Sequence, residues 1–358
     1  MEKTLNHLGL RRTVGVPNAW ILQLTTLALL GFLCSSLVLA QTPFRATPLN
    51  EFQPGQLYLG AFPGFLYDNS NLAPGDHDAD GRIAAGRVQP LDAAGNLASD
   101  GKIVVIGIGM SNWTLELCTG KLGTSCTPSS FIANANRTAQ VNHRNLVLVD
   151  CAIPSQVAPK WVDDSYLNYT ACRKTLEGLS LTEAQVQVVL YKNANTEPKH
   201  SLTPTTVCAT DVTIDACAYE RILGQTARYV KTRYVNAQQM FVHSRIYAGY
   251  ATVSLNPEPF AYEYGFATKW FVNAQIQQLR TGIVDPVAGD LSFEAVPWIG
   301  WGSYLWGSGS NPREDGTTWM MSDYGKDRTH PGPSGANKVA HLMMKFYFTS
   351  PYSLWFRQ

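Results

Sequence analysis

The 358-residue sequence predicts an α/β protein, a three-layer α/β/α sandwich around a doubly wound, mainly parallel sheet. Two observations carry this reading. Short β-branched runs alternate with longer stretches of helical periodicity over some 250 residues, and the runs are continuously apolar, as strands buried on both faces of a parallel sheet are. A composition with 29 Gly, 20 Pro and 7 Met argues against a fibrous, coiled-coil or disordered chain.

Strands are expected over 102–107, 146–149, 186–191 and 240–243, each a β-branched or apolar run. Helices are expected from Trp113 and over 166–179, 220–236, 260–279 and 334–348. The third of these ranges places Phe266, Trp270, Phe271 and Ile276 near one face. The last follows Pro331 and Pro333 and carries Val339, Leu342, Met343 and Phe346. Residues 41–100, rich in Gly, Pro, Asp and Ala, read as an irregular lead-in to a domain over 101–358. No internal repeat is present.

Only 15% of the residues are charged, against about 25% in ordinary globular chains. A net charge of +1 gives no basic stripe for nucleic acid. The first forty residues stand apart. Lys3, Arg11 and Arg12 precede an apolar run over 21–40 that ends in Val38-Leu39-Ala40. Basic flank, apolar stretch and small-residue end are the parts of a secretory signal. The alternative is a retained anchor, since about 20 apolar residues span a bilayer; it would be the chain's one link to a membrane. Gln23, Thr25, Thr26, Ser35 and Ser36 favour the cleaved signal, and bulky Leu33 before Cys34 speaks against lipoprotein processing. The protein is therefore expected outside the cytoplasm.

Six cysteines remain beyond Cys34: Cys118, Cys126, Cys151, Cys172, Cys208 and Cys217. An even number in an exported chain reads as disulfides. Six allow 15 connectivities; pairing of neighbours in sequence is preferred, and the lack of any C-x-x-C pair disfavours zinc.

In a doubly wound fold ligands bind at the carboxyl ends of the strands. The first strand runs into Gly107-Ile-Gly-Met-Ser111-Asn112, which puts a serine at a strand-to-helix turn, where a nucleophile is exposed. Ser and Asn are equally the preferred helix N-caps, and the second glycine of a G-x-S-x-G elbow is replaced by Trp113. Near the other end, Asp327-Arg-Thr-His330-Pro331 offers a base with an acid three residues earlier to orient it.

With these blocks the sequence resembles the SGNH, or GDSL-like, hydrolases. Gly109-Met110-Ser111-Asn112 stands at the Gly-Asp-Ser nucleophile motif, and Val149 to Gln156 at the oxyanion-glycine block. Tyr191 to Asn195 stands at the Gly-x-Asn-Asp block, and Asp327 to Pro331 at D-x-x-H-P, the most specific of the four. The runs 243–250 and 257–263 look like those of an exported, poorly characterised bacterial branch. The resemblance covers about residues 100–350 and implies a flavodoxin-like fold. It also implies a serine esterase with Ser111 as nucleophile, His330 as base, Asp327 as its orienting acid and no required cofactor. Ser155 falls where the family has its oxyanion glycine; its amide is expected to serve only if the loop avoids positive φ, which serine dislikes. The side-chain donor is Asn195 if two residues follow the strand and Asn193 if none does, with Asn195 preferred.

Arg245 and Tyr247 follow the fourth strand and are candidate substrate-binding residues; alternatively Arg245 pairs with Glu258 or Glu263. Asp76, Asp78 and Asp80 before Gly81 have the opening of a calcium loop, but Arg87 stands at the twelfth position, so a solvated acidic turn is the preferred reading. Trp298, Trp301, Tyr304, Trp306 and Trp319 read either as a sugar-stacking platform or, preferred, as a packed loop. Asn112, Asn136 and Asn168 open N-x-T sequons. Two function classes follow. One is an exported esterase of small-molecule or carbohydrate esters; the other is a catalytically inactive binding or adhesion protein on the same scaffold.

Overall fold

The computed structural model describes residues 44–118 and 126–358; the expected export segment over 1–40, with Cys34, lies outside them. A two-stranded ribbon, β1 (Leu57–Tyr58) and β2 (Phe62–Pro63), precedes helix α1 (Gly75–Arg87). The chain continues through β3 (Ile103–Gly109), α2 (Ser111–Leu117), α3 (Phe131–Arg137), β4 (Leu146–Asp150), α4 (Asn168–Gly178) and β5 (Val186–Lys192). It ends with α5 (Asp215–Arg233), β6 (Gln239–Val242), α6 (Phe260–Thr281), β7 (Trp298–Trp301) and α7 (Pro333–Thr349).

Strands β3 to β7 form one parallel sheet in the order β4-β3-β5-β6-β7. Counted along the chain this is 2-1-3-4-5, the flavodoxin-like doubly wound order, with its switch point between β3 and β5. β3 and β5 are buried along their whole length, which is why they read as continuous apolar runs instead of alternating ones. Right-handed crossovers in this order place helices on both faces. In keeping with that, α2 and α3 pack against α7, and α5 packs against α6.

The lead-in is more structured than its composition suggests. Leu49, Phe52, Tyr67, Ala84 and Val88 join the central hydrophobic core, and α1 lies against β7 and β6. β7, an edge strand, is thereby buried at all four residues, one of the ways proteins protect a sheet edge. The acidic segment, read as a solvated turn in preference to a calcium loop, is helical: Asp76, Asp78 and Asp80 occupy the first two turns of α1. Asp76 pairs with Arg280, and Asp78 with Arg82 and Tyr352. No metal-binding cluster of His, Cys, Asp or Glu occurs among the described residues. Gly81 serves packing instead, since a Cβ there would meet the Trp298 ring at 2.6 Å.

β7 itself was not anticipated. Trp298 and Trp301, read with Tyr304, Trp306 and Trp319 as one aromatic loop, are strand residues, and all five side chains are buried. Their indole N–H groups donate to His77 O, Leu66 O, Glu258 Oε1 and Leu305 O. The cluster is core, and no sugar platform forms from it. Of the sequon asparagines, Asn112 and Asn168 are buried and Asn136 is exposed. The disulfides join neighbours in sequence, Cys118–Cys126, Cys151–Cys172 and Cys208–Cys217. No helix among the described residues is long and apolar enough to cross a membrane.

Several carboxyls are enclosed in this fold. Burial pushes Asp150 and Glu263 up to about 7 and Glu220 to about 8. An acid whose pKa is higher folded than unfolded holds its proton longer in the native state. Its stabilising contribution is complete below the unfolded value near 4 and is lost as pH rises through 7 to 8. Carboxyls held low, such as Asp76 by the Arg280 hydrogen bond, lose their contribution only at acid pH. Tm should therefore fall between pH 5.5 and pH 8.5. A melting series that stays flat or rises over that window contradicts the assignment.

Candidate active site

The site grows from the carboxyl ends of β3 and β5. Gly109 closes β3, and a Cβ there would lie 2.2 Å from the Lys192 carbonyl oxygen, so glycine permits this close approach. Met110, in extended conformation, turns the chain into α2, whose first residue is Ser111. On the opposite side the segment before α7 brings in His330. Ser111 Oγ stands 2.7 Å from His330 Nε2, and His330 Nδ1 stands 2.5 Å from Asp327 Oδ2. A proton on Nδ1, donated to the carboxylate, leaves Nε2 free to accept the serine hydroxyl proton. The three residues read from two distant blocks are thus brought into one relay.

The relay is braced locally. Asp327 Oδ1 accepts the backbone N–H groups of Thr329 and His330, each at 3.1 Å. Burial pushes the Asp327 carboxyl up, but the hydrogen bonds from the His330 ring and these amides outweigh it and hold the group below its ordinary value. Arg328 adopts φ 53° in this turn, a left-handed conformation that costs a non-glycine residue of order 1 kcal/mol. Asn112 Nδ2 donates to Thr329 O at 3.2 Å, tying the serine turn directly to the histidine loop.

Ser111 and His330 border a cavity of about 410 Å³ that is also lined by Met110, Ser155, Val157, Lys160, Arg245, Leu255 and Asn256. Ser155 departs from expectation in its backbone: φ is 65°, so serine takes the conformation that glycine would favour. The loop is held there by Ile153 N–H on Gly109 O, by Trp161 and Asn193 donating to Gln156 O, and by the Cys151–Cys172 bridge at its base. The amides of Ser111 and Ser155 have no acceptor among the described residues.

The two asparagines named from the sequence are placed differently in the fold. Asn193 is buried, its Nδ2 donates to Gln156 O and its Oδ1 accepts Ala194 N–H, so its amide is consumed in shaping the loop. Asn195 is half-buried, its Oδ1 lacks a partner, and it is absent from the cavity lining. The lining amides are Asn112 and Asn256. Asn256 is buried and donates weakly to Asn195 O at 3.5 Å. It comes from an irregular segment that no sequence pattern singles out.

Tyr247 is corrected. It is fully buried, donates to Phe44 O at 2.8 Å and does not reach the cavity. Arg245 does line it, and it forms neither of the pairs proposed for it. Glu258 accepts from Ala248 N–H, Trp306 Nε1–H and Tyr262 N–H, and Glu263 from Tyr58 O–H and Leu202 N–H.

Beneath the cavity lies a buried ion pair that the sequence reading missed. Lys192 ends β5, Glu116 lies on α2, and both side chains are wholly excluded from solvent. A lysine closing an otherwise apolar strand was the available signal. Lys192 also sits over the Trp113 ring, 5.5 Å from its centroid. Burial pushes Lys192 down to about 8 against the pull of Glu116, and pushes Glu116 up against the pull of Lys192.

Compared with known proteins, the chain matches no family model and no curated protein. Several solved structures are similar to it. One is a psychrotrophic esterase from Pseudoalteromonas sp., at 9% identity over 68% of this chain and 96% of that one, TM-score 0.35. A salicylyl-acyltransferase from a tetracycline biosynthetic pathway has 14% identity over 72% and 58%, TM-score 0.36. An extracellular lipase from Streptomyces rimosus has 13% identity over 68% and 99%, TM-score 0.34.

Because Glu116 bonds Lys192 and also offsets the charge of Arg245 without bonding it, the two ends of the pair are unequal. Glu116→Gln leaves two enclosed cations and should cost about 3–5 kcal/mol of unfolding free energy. Lys192→Met leaves Glu116 with Arg245 and should cost less. Urea unfolding of both variants decides, and an equal or reversed order would refute the shared-anion arrangement.

Proposed function

We propose that this protein is a serine esterase of the SGNH type. The observation that carries the reading is the continuous relay from Ser111 Oγ through His330 to Asp327 beside an open cavity at the carboxyl edge of the sheet. The four sequence blocks add support through their order along the chain. His330 takes the Ser111 proton as Oγ attacks the ester carbonyl, and Asp327 holds the imidazole and stabilises its cation. The developing oxyanion is received by the unpaired amide of Ser111 and, since Ser155 takes the left-handed φ that glycine would and still lines the cavity, by the Ser155 amide, with Asn256 supplying a side-chain donor. His330 then protonates the leaving alcohol, and water, activated by the same histidine, releases the acid. No cofactor takes part. Three disulfides and the signal-like segment over 1–40 support an exported enzyme. The apolar part of the lining, Met110, Val157 and Leu255, suits small acyl or alcohol groups.

The alternative, an inactive scaffold that binds or adheres, draws on one feature: serine in the left-handed backbone of the oxyanion loop. A fluorophosphonate probe separates the two. It should label the wild type and not Ser111→Ala; absence of labelling in a folded, disulfide-intact wild type sinks the esterase reading.

The base has its own measurement. His330→Ala should lower turnover of p-nitrophenyl acetate by a factor of at least about 10³ without lowering Tm substantially. Comparable rates in the two proteins would move the base elsewhere.

A further inference from the structure

Arg245 is the one charged side chain at the cavity whose partner is missing among the described residues. It is 3% exposed, it lines the cavity with Ser111 and His330, and Nε and Nη1 are enclosed without any acceptor. Arginine keeps its charge under all ordinary conditions and offers a planar fork of donors. A buried charge without a partner is costly, and natural structures supply either an ion pair or a ligand.

No anion near Arg245 forms an ion pair with it. Glu116 bonds Lys192 through Oε2 and leaves Oε1 without a hydrogen-bond partner, offsetting the Arg245 charge without bonding it, and Glu258 is occupied by three N–H donors. Tyr219 donates its hydroxyl to Asn193 O, and Tyr264 is neutral, burial raising its hydroxyl well above the ordinary value. Lys192, Arg245 and Glu116 together leave one positive charge in excess beside the nucleophile. A second cation, Lys160, lines the same cavity, with its Nζ on Ser155 O at 3.3 Å and over the Tyr166 ring. Lys160 can stay solvated; Arg245 cannot.

We propose that Arg245 binds a carboxylate carried by the substrate, so that the ester this site takes is an anion, with the carboxylate on its acyl or its alcohol part. The fork geometry favours a planar two-oxygen acceptor. The apolar lining from Met110, Val157 and Leu255 accommodates the chain between carboxylate and ester. The word substrate rests on the Ser111 esterase reading; the anion site itself does not.

Two measurements test this, and they fail separately. The first compares kcat/KM, each corrected for uncatalysed hydrolysis, for matched pairs. The acyl pair is p-nitrophenyl hydrogen adipate against p-nitrophenyl hexanoate, and the alcohol pair is 4-acetoxybenzoate against its methyl ester. In one pair the wild type should favour the anion by about 10- to 100-fold, the worth of a hydrogen bond to a charged group. That ratio should collapse to near unity in Arg245→Gln and persist in Lys160→Ala. Loss of the ratio in Lys160→Ala instead, or no preference in either pair, overturns the proposal even if neutral esters are cleaved well.

The second measurement omits catalysis. Calorimetric titration of Ser111→Ala with glutarate should show binding that glutaramide does not, and Arg245→Gln in the same background should abolish it. If fluorophosphonate labelling fails while glutarate binds, the esterase reading falls and the anion site stands. If labelling succeeds while glutarate does not bind and neither pair shows a preference, the anion site falls alone. Should Arg245→Gln not fold, the wild-type ratios and glutarate binding by Ser111→Ala decide.

Discussion

The contact of β3 with β5 at their carboxyl ends is the constraint from which the rest of the site follows. Gly109 has no side chain to hold the Lys192 carbonyl away, so the two central strands end side by side and the turn into α2 sits over the end of β5. That placement buries the Lys192 side chain under α2, in a region where water cannot solvate an ammonium. Glu116, one and a half turns into the same helix as Ser111, neutralises it. The helix that begins at Ser111 is thus anchored to the sheet by an ion pair as well as by the Trp113 ring. Arg245, brought in after β6, adds a second cation to a place that holds a single carboxylate.

The relay has a different character because half of it is local. Asp327 and His330 meet across a four-residue turn, and the aspartate's second oxygen caps the turn's own amides. Such a unit is held by hydrogen bonds of its own. Its meeting with Ser111 depends on α7 docking against α2 and on the Asn112 amide that grips Thr329 O. Among the non-glycine residues in left-handed backbone, Ser155 and Arg328 belong to the loops of the site, and both are held by hydrogen bonds on their flanks, as strained backbone at sites commonly is.

Packing at the far edge explains why residues 41–100 resist reading from composition. The segment is rich in Gly, Pro and Asp because it must turn often and lie closely on aromatic faces. Its helix α1 has no pronounced apolar stripe, and only His77, Gly81, Ala84 and Ala85 face inward. The acidic pattern at 76–81 satisfies helix-terminal and ion-pair needs, and its glycine admits Trp298. A short strand of two tryptophans flanking Ile-Gly carries no strand-like alternation, and β7 becomes recognisable only once β6 offers it a ladder.

By itself the sequence determined the α/β class and four of the five sheet strands; it preferred the neighbour-paired disulfides, and its resemblance to a known family singled out Ser111, Asp327 and His330. The strands and the Asp327–His330 turn are written in local runs and short spacings, whereas Ser111 and His330, 219 residues apart, were joined by the order of the blocks along the chain. Tertiary structure alone decided which polar groups around Ser111 are spent and which are free. Asn193 is used up by the Gln156 carbonyl and Tyr247 by the Phe44 carbonyl. Glu258 and Glu263 are taken by other donors, and Arg245 is left without an acceptor. The physical reason is that hydrogen-bond partners are claimed across separations of tens to hundreds of residues, and a side chain's availability is whatever remains after the fold has claimed the rest.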